Sequence, residues 1–172
     1  METPFLLDRQ RHLDRENHSA VPRRVGLSIL ALICLLALLL DVFGQRSTLT
    51  RVDASAASLT VDSPERLRGG LVFTSEITVV AHQKVADAQV QLSSEWFRGM
   101  TFNGVVPQPN SMSSSGDTVT LDYGPLDAGQ SMPFWISWQT NPTTLGARGE
   151  KVSVSDGSNQ LVTLQRSLVV FP

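Results

Sequence analysis

The first strong pattern in the chain is one long apolar run. Residues 25–43 read VGLSILALICLLALLLDVF and contain a single charged residue, Asp41. At a rise of about 1.5 Å per residue, a helix of this length reaches about 28 Å, close to the roughly 30 Å of hydrocarbon in a bilayer. The run therefore predicts one transmembrane α-helix over residues 25–43.

Beyond residue 70, apolar and polar side chains alternate with a period of two, which is the signal of half-buried strands. The alternation is clear in residues 71–82, 87–92 and 134–139. Turn signals such as Gly124-Pro125 and Asp156-Gly157 separate the strands about every ten residues. This part has no long helical period, so the pattern predicts an all-β fold, an antiparallel β-sandwich of about seven strands of the immunoglobulin-like kind.

Three segments depart from the simple alternation. Residues 108–116, QPNSMSSSG, are rich in Ser, Asn and Pro, and we expect an exposed loop there. Residues 94–100 have room for a turn or two between strands. Residues 168–171 are apolar on both faces, so the last strand is either covered on both sides or shifted in phase by a bulge near Arg166.

These patterns divide the chain into four parts. Residues 1–24 form a polar, mostly disordered tail, 25–43 the membrane helix, 44–57 a juxtamembrane spacer without an apolar period, and 58–172 an exterior domain. Arg23 and Arg24 abut the apolar run, which favours a cytoplasmic tail and an extracytoplasmic domain. The run is longer than the apolar core of a cleaved signal peptide, so we expect an uncleaved anchor, with cleavage as the alternative.

Composition excludes several classes of function. The 172 residues carry 14 basic and 16 acidic side chains, a balance too even for binding nucleic acid. The one cysteine, Cys34, lies in the apolar run, so the exterior domain holds no internal disulfide. His82 is its one histidine, and no Gly-x-Ser-x-Gly elbow occurs. We therefore expect no metal site, no cofactor and no catalytic residue: the chain is not an enzyme.

Residues 124–146, GPLDAGQSMPFWISWQTNPTTLG, carry a family resemblance. A Gly-x-Leu-x-Ala-Gly-x-Ser turn leads into a long alternating strand, and the matching residues are Gly124, Leu126, Ala128, Gly129 and Ser131. The segment resembles the immunoglobulin-like repeat domains of bacterial surface proteins, with looser similarity over residues 71–172. The resemblance implies display, adhesion or assembly and supplies no catalytic residues. This chain departs from the family by having one copy where the family has tandem arrays.

Two groups of residues are candidates for binding. In the apolar run, Ala31, Cys34, Ala37 and Asp41 share one stripe of the helix, where small side chains allow another membrane helix to approach closely. The alternative is that alanine is common in such helices and that Asp41 lies at the level of the lipid headgroups.

The second group lies in the exterior domain and comprises Trp96, Phe97, Arg98 and Trp135. Trp135 alternates with Phe134 and Ile136, so it should lie on the outer face of its strand, while Trp138 belongs to the core. Residues 96–98 combine aromatic and Arg side chains, which often dominate interfaces. The alternative for these three is packing over one end of the sandwich.

Together these observations predict a single-pass protein of a bacterial cell membrane that displays one β-sandwich and works by binding. We expect it to be an accessory subunit of a membrane or envelope complex, with an integral membrane protein and the lipid bilayer as partners. The alternative function is a cell-wall polymer-binding or adhesion module. The sequence specifies neither the partner nor the oligomeric state.

Overall fold

The computed structural model describes the backbone of residues 9–39 and 45–172, and the side chains of residues 21–37 and 45–172. The chain divides into two compact units, Met1–Phe43 and Gly44–Pro172, which are described separately. The first contains helix α1, Arg9–Leu39, with Pro22 inside it. The structure describes residues 9–24 of the predicted tail as helix, and the tail assignment itself stays a prediction. Five of these sixteen residues are Arg, which favours helix even without an apolar stripe.

Among the residues that the structure describes, no helix is both long enough and apolar enough to cross a membrane. Residues 40–43 of the predicted span, Asp41 included, lie outside the described residues. The transmembrane assignment of residues 25–43 thus stays a prediction.

The second unit contains eleven strands within residues 45–172. Their bounds are β1 Ser47–Asp53, β2 Ala57–Pro64, β3 Arg66–Arg68, β4 Val72–Ala81, β5 Val85–Ser93, β6 Met100–Val106, β7 Ser111–Ser115, β8 Thr118–Leu126, β9 Ser131–Thr140, β10 Gly146–Asp156 and β11 Asn159–Phe171. A short 3₁₀ turn, Ser94–Trp96, follows β5.

The strands form two sheets that pack as a sandwich. The five-stranded sheet has the order β1-β2-β4-β9-β6, and the six-stranded sheet has the order β3-β11-β10-β5-β8-β7. Neighbouring strands are antiparallel except for β3 and β11, which are parallel. The predicted β-sandwich is confirmed, although about seven strands is too low a count.

The missed strands are short or exposed and lie at sheet edges. β1 falls inside the predicted spacer, residues 44–57, and β7 falls inside the predicted loop, residues 108–116. Burial alternates between exposed and half-buried along β1, and every residue of β7 is exposed. Neither strand has a fully buried face, so neither carries the apolar alternation that reveals an inner strand.

The core lies between the sheets and is built from every second residue of the inner strands. Phe134, Ile136 and Trp138 of β9 are all fully buried, as their alternation predicts. They face inward-pointing residues of the other sheet such as Leu92 and Leu164, which are also fully buried. Burial of these side chains is the main stabilising term of the sandwich.

Aromatic side chains close one end of the core. Trp96 stacks on Trp138 with ring centroids 5.9 Å apart and an interplanar angle of 27°. Phe97 and Phe102 meet the same Trp138 ring edge-on, at 5.2 Å and 5.6 Å. The indole Nε1 of Trp96 donates a hydrogen bond to the carbonyl of Lys151 at 3.2 Å. The 3₁₀ turn after β5 is thereby tied to β10.

The last strand keeps its alternation without a bulge near Arg166. Every second residue from Val162 to Val170 is buried, Arg166 among them, and the register shift between β10 and β11 lies instead at Val154/Ser155. Val169 is exposed, so the strand is not covered on both sides either. Both expectations for this strand were wrong, because the alternation continues unbroken through the inward-pointing Arg166 and leaves Val169 outside.

The guanidinium of Arg166 joins the two sheets. Its Nε lies 3.4 Å from Oε2 of Glu150, the residue directly opposite on β10, and both side chains are almost completely buried. Its Nη2 donates hydrogen bonds to the carbonyls of Ser63, at 2.9 Å, and Pro64, at 2.6 Å, in the other sheet. Its Cζ also lies 6.0 Å from the centroid of the Trp96 ring. One side chain thus connects β11, β10, β2 and the aromatic end of the core.

Replacing Arg166 by Met should lower the free energy of unfolding at pH 8 by about 3 to 5 kcal/mol, because Glu150, which is ionised in the wild type at that pH, is left buried without its cation. Arg166→Lys keeps the charge but has one nitrogen where arginine places Nη2 at the two carbonyls and Nε beside Glu150, so its loss should be smaller but clear. Chemical denaturation of the two variants measures both values. Arg51→Met, at an exposed arginine, is the control and should leave the midpoint unchanged. Equal midpoints for Arg166→Met and wild type would contradict the role of this contact.

Burial raises the pKa of Glu150 to about 7, and the attraction of Arg166 and Arg148 limits the rise. The native state therefore holds a proton on Glu150 at pH values where the unfolded chain, with a pKa near 4.5, has released it. The contribution of Glu150 to stability accordingly falls as the pH rises from about 4.5 to about 7.

The free energy of unfolding of the wild type, measured relative to Glu150→Gln, should decrease by about 3 kcal/mol between pH 4 and pH 8, at about 1.4 kcal/mol per pKa unit. The glutamine variant does not titrate at this position and removes the contribution of all other groups from the comparison. Urea denaturation at several pH values provides the measurement. A difference between the two proteins that is constant with pH would show that folding leaves the pKa of Glu150 unchanged, and one that increases with pH would show that folding lowers it.

Candidate binding surface

A row of outward-facing residues crosses the five-stranded sheet, one from each strand. The strand register places Leu49, Asp62, Glu76, Trp135 and Val106 opposite one another in that order, across β1, β2, β4, β9 and β6. Leu49 and Val106 are each 65% exposed, and Trp135 is 40% exposed. We call these five residues the Trp135 row.

The Trp135 row combines an aromatic surface with negative charge. Asp62 and Glu76 are direct cross-strand partners, an arrangement in which like charges repel and reduce stability. Glu76 is in turn the cross-strand partner of Trp135. The four strands β2, β4, β6 and β9 contain no Lys, Arg or His. On β1, Arg51 is already bound by Asp53 through two hydrogen bonds of 2.9 Å. The row is therefore suited to a cationic group.

A cleft opens where the edges of the two sheets meet, between β6 and β7. It has a volume of about 300 Å³. Phe102, Val105 and Met112 provide apolar lining, and Gln108 and Asn110 provide polar lining. We call it the edge cleft.

Strand β8 holds the rim of the edge cleft in place. The Tyr123 hydroxyl donates a hydrogen bond to the carbonyl of Pro107 at 3.4 Å, and the amide of Asn110 donates one to the carbonyl of Asp122 at 2.7 Å. Burial raises the pKa of Tyr123, so its hydroxyl stays protonated and remains a donor. The cleft rim is thus attached to the sheet at two points.

The structure separates the predicted exterior binding residues. Trp96 is fully buried against Trp138, so its prediction as a binding residue is wrong and the alternative, packing over one end of the sandwich, is right. Phe97 is half-buried in the same cluster. The Arg98 side chain is exposed and lies 3.2 Å from Glu95. Trp135 alone presents a broad aromatic surface, in the outward orientation that its alternation predicts. Its role in binding stays a prediction.

The predicted helix stripe is described only in part. The side chains of Ala31 and Cys34 are exposed on α1, and that of Ala37 is partly covered. Asp41 lies outside the described residues. Helix docking through this stripe stays a prediction.

Within the described ranges, no three His, Cys, Asp or Glu side chains come together as metal ligands.

Sequence reasoning missed the buried charges of the six-stranded sheet. Arg148 and Glu150 lie on the inner face of β10 with Val152 and Val154, and Nη1 of Arg148 donates a hydrogen bond to the carbonyl of Arg98. The signal that could have found them is the phase of the strand, since all four residues have the same parity.

Comparisons with known proteins give similarity of structure only. No family model matches the chain, and no curated protein matches it in sequence. A non-cellulosomal cohesin from the archaeon Archaeoglobus fulgidus is similar over 74% of this chain and 92% of its own, with 12% identity and a TM-score of 0.41. The human F-spondin reeler domain is similar over 71% and 92%, with 15% identity and a TM-score of 0.44.

A third similar structure is the third cohesin ScaC of Acetivibrio cellulolyticus, solved in complex with the ScaB dockerin. It covers 62% of this chain and 94% of its own, with 8% identity and a TM-score of 0.43. The predicted relation to bacterial surface repeats is not confirmed by these comparisons. What the chain has in common with these three similar structures is a β-sandwich.

Proposed function

We propose that this protein is a non-enzymatic binding module whose β-sandwich engages a partner protein through the Trp135 row. The observation that carries the proposal is the position of Trp135, a 40% exposed indole whose cross-strand partner is one of two adjacent carboxylates. A large exposed aromatic beside two adjacent like charges has a cost in stability and solubility, and a partner that covers both removes that cost.

The chemistry of the row defines the partner's contact residue. A Lys or Arg side chain can lay its apolar stem against Val106 and place its charged end over the Trp135 ring, beside Glu76. Exposed cation–π contacts are worth about 0.5 to 1 kcal/mol and more when water is excluded, so the row needs further contacts around it to give useful affinity. Leu49 at the far end of the row provides apolar area for such contacts.

We also propose that the module works at the outer side of the cell membrane. The apolar run of residues 25–43 holds the sandwich at the cell membrane, with the N-terminus in the cytoplasm and the β-sandwich outside. In this arrangement the protein is an accessory subunit of a membrane or envelope complex, and the stripe of Ala31, Cys34, Ala37 and Asp41 contacts an integral membrane partner. The support for this part is the sequence pattern alone.

A cell-wall polymer is the second candidate ligand. The observation in its favour is that Trp135 is followed on the same face by Ser137, whose cross-strand partner is Thr74. An aromatic ring beside hydroxyl groups can stack on a sugar ring and hydrogen-bond its hydroxyls. A polymer would not depend on Asp62 and Glu76 as a basic protein would, unless it carried amino groups.

We expect a photoreactive amino acid at position 135 of the full chain to crosslink a protein partner in cells that naturally make this protein. The same group at Val169, an exposed position on the six-stranded sheet, should not. Glu76→Lys should reduce the crosslink about tenfold because it places a positive charge where the partner's cation binds. Asp127→Lys changes the net charge equally at an exposed turn and serves as the matched control.

A crosslink at position 135 that survives Glu76→Lys undiminished would contradict a cationic partner. Crosslinking of glycan in place of protein would favour the polymer reading. Trp135→Ala should leave the unfolding midpoint close to that of the wild type, since the side chain lies outside the core. A loss of partner binding by Trp135→Ala would then result from the changed surface and not from unfolding.

A further inference from the structure

Strand β7 is an unprotected edge of the six-stranded sheet. It pairs only with β8, and all five of its residues, Ser111–Ser115, are exposed. An open edge presents unpaired backbone N–H and C=O groups to any extended chain. Natural sheets commonly block such edges with charged side chains, proline, bulges or very short strands. β7 contains no charged residue and no proline, and its pairing with β8 is regular.

The three other sheet edges do carry such protection. β1 presents the ion pair of Arg51 and Asp53. β3 is only three residues long, with exposed arginines at both ends. β6 is interrupted by a bulge between Phe102 and Gly104. Of the four sheet edges that the structure describes, β7 alone lacks such protection.

The edge cleft adds a binding pocket to this edge. Ser111 and Met112 belong both to β7 and to the cleft lining, and Phe102 and Val105 line it from β6. Side chains of a strand added along β7 would alternate between the two faces of the sheet, so every second one would point toward the cleft. At about 300 Å³ the cleft is at the lower end of the range for ligand pockets and suits an aliphatic side chain.

Negative charge lies near both ends of β7. Asp117 follows the strand after one intervening glycine, and Asp122 lies opposite Ser111, whose hydroxyl is 3.5 Å from the Asp122 carboxylate. From Gly99 to Ala147 the chain contains three aspartates and no Lys, Arg or His. A second copy of this chain is a poor occupant, because antiparallel self-pairing would bring the aspartates of both copies to one edge.

We propose that β7 accepts an extended peptide of another protein as an added strand. The peptide places an aliphatic side chain in the edge cleft and carries Lys or Arg at the two ends of the paired segment. Main-chain hydrogen bonds to β7 provide affinity, and the cleft and the aspartates provide selectivity. The edge strand of this site belongs to the other sheet from the Trp135 row, although β6 helps to line the cleft, and the proposal does not depend on the function proposed for that row.

The test uses the full chain and two labelled peptides, KTVTVTK and ETVTVTE, followed by fluorescence anisotropy at low salt. The basic peptide should bind at least about tenfold more tightly, because only it matches the aspartates. Ser113→Lys, which adds a blocking charge to the middle of β7, should weaken its binding at least about tenfold. Ser47→Lys makes the same change on edge strand β1 and should alter binding less than about twofold.

A measurement on the wild type keeps the test valid if Ser113→Lys fails to fold. Amide hydrogen exchange in residues 111–115 should slow when the basic peptide is added, while exchange in β1 should not change. Equal binding of the two peptides, binding that resists Ser113→Lys in a folded protein, or unchanged exchange in β7 would each overturn the proposal. Concentration-dependent dimers that lose protection of β7 when Ser113 is replaced would assign the edge to self-association instead.

Discussion

The buried guanidinium of Arg166 is the contact on which the packing at one end of this sandwich depends. It lies beside Glu150 on the neighbouring strand, binds two carbonyls at the end of β2 in the opposite sheet, and lies over the Trp96 ring. A buried cation is tolerated only where such partners replace water, so these elements must come together in one arrangement. The burial of Arg166 also preserves the phase of β11 and the packing of Trp96 on Trp138.

The interior in turn decides what the surface displays. Because Phe134, Ile136 and Trp138 fill the inward positions of β9, Trp135 is directed to solvent, where the strand register sets it beside Glu76. The same geometry leaves the sandwich open along β6 and β7. The two proposed binding regions therefore have different physical characters. One is a sheet face with an aromatic ring and carboxylates, and the other is a sheet edge with free backbone groups and a small cleft.

Alternation along a single strand explains where prediction succeeded. It placed Phe134, Ile136 and Trp138 inside and Trp135 outside, since a strand with one buried face must repeat every second residue. Trp96 lies in a short turn without any period, so its burial depended on a ring 42 residues away and on the carbonyl of Lys151. Edge strands β1 and β7 escaped prediction because hydrogen bonding to a neighbour, and not burial of a face, creates them.

The sequence by itself determined that residues beyond 70 form a β-sandwich, which residues of its central strands enter the core, and that one long apolar run precedes them. These properties follow from local periodicity and composition. The tertiary structure decided that Arg166, Glu150 and Arg148 are buried, that Asp62, Glu76 and Trp135 form one row, and that β7 is an open edge beside a cleft. Strand phase alone could indicate the buried charges, but their partners, the row and the open edge depend on strand register and sheet order, which bring together residues far apart in the chain.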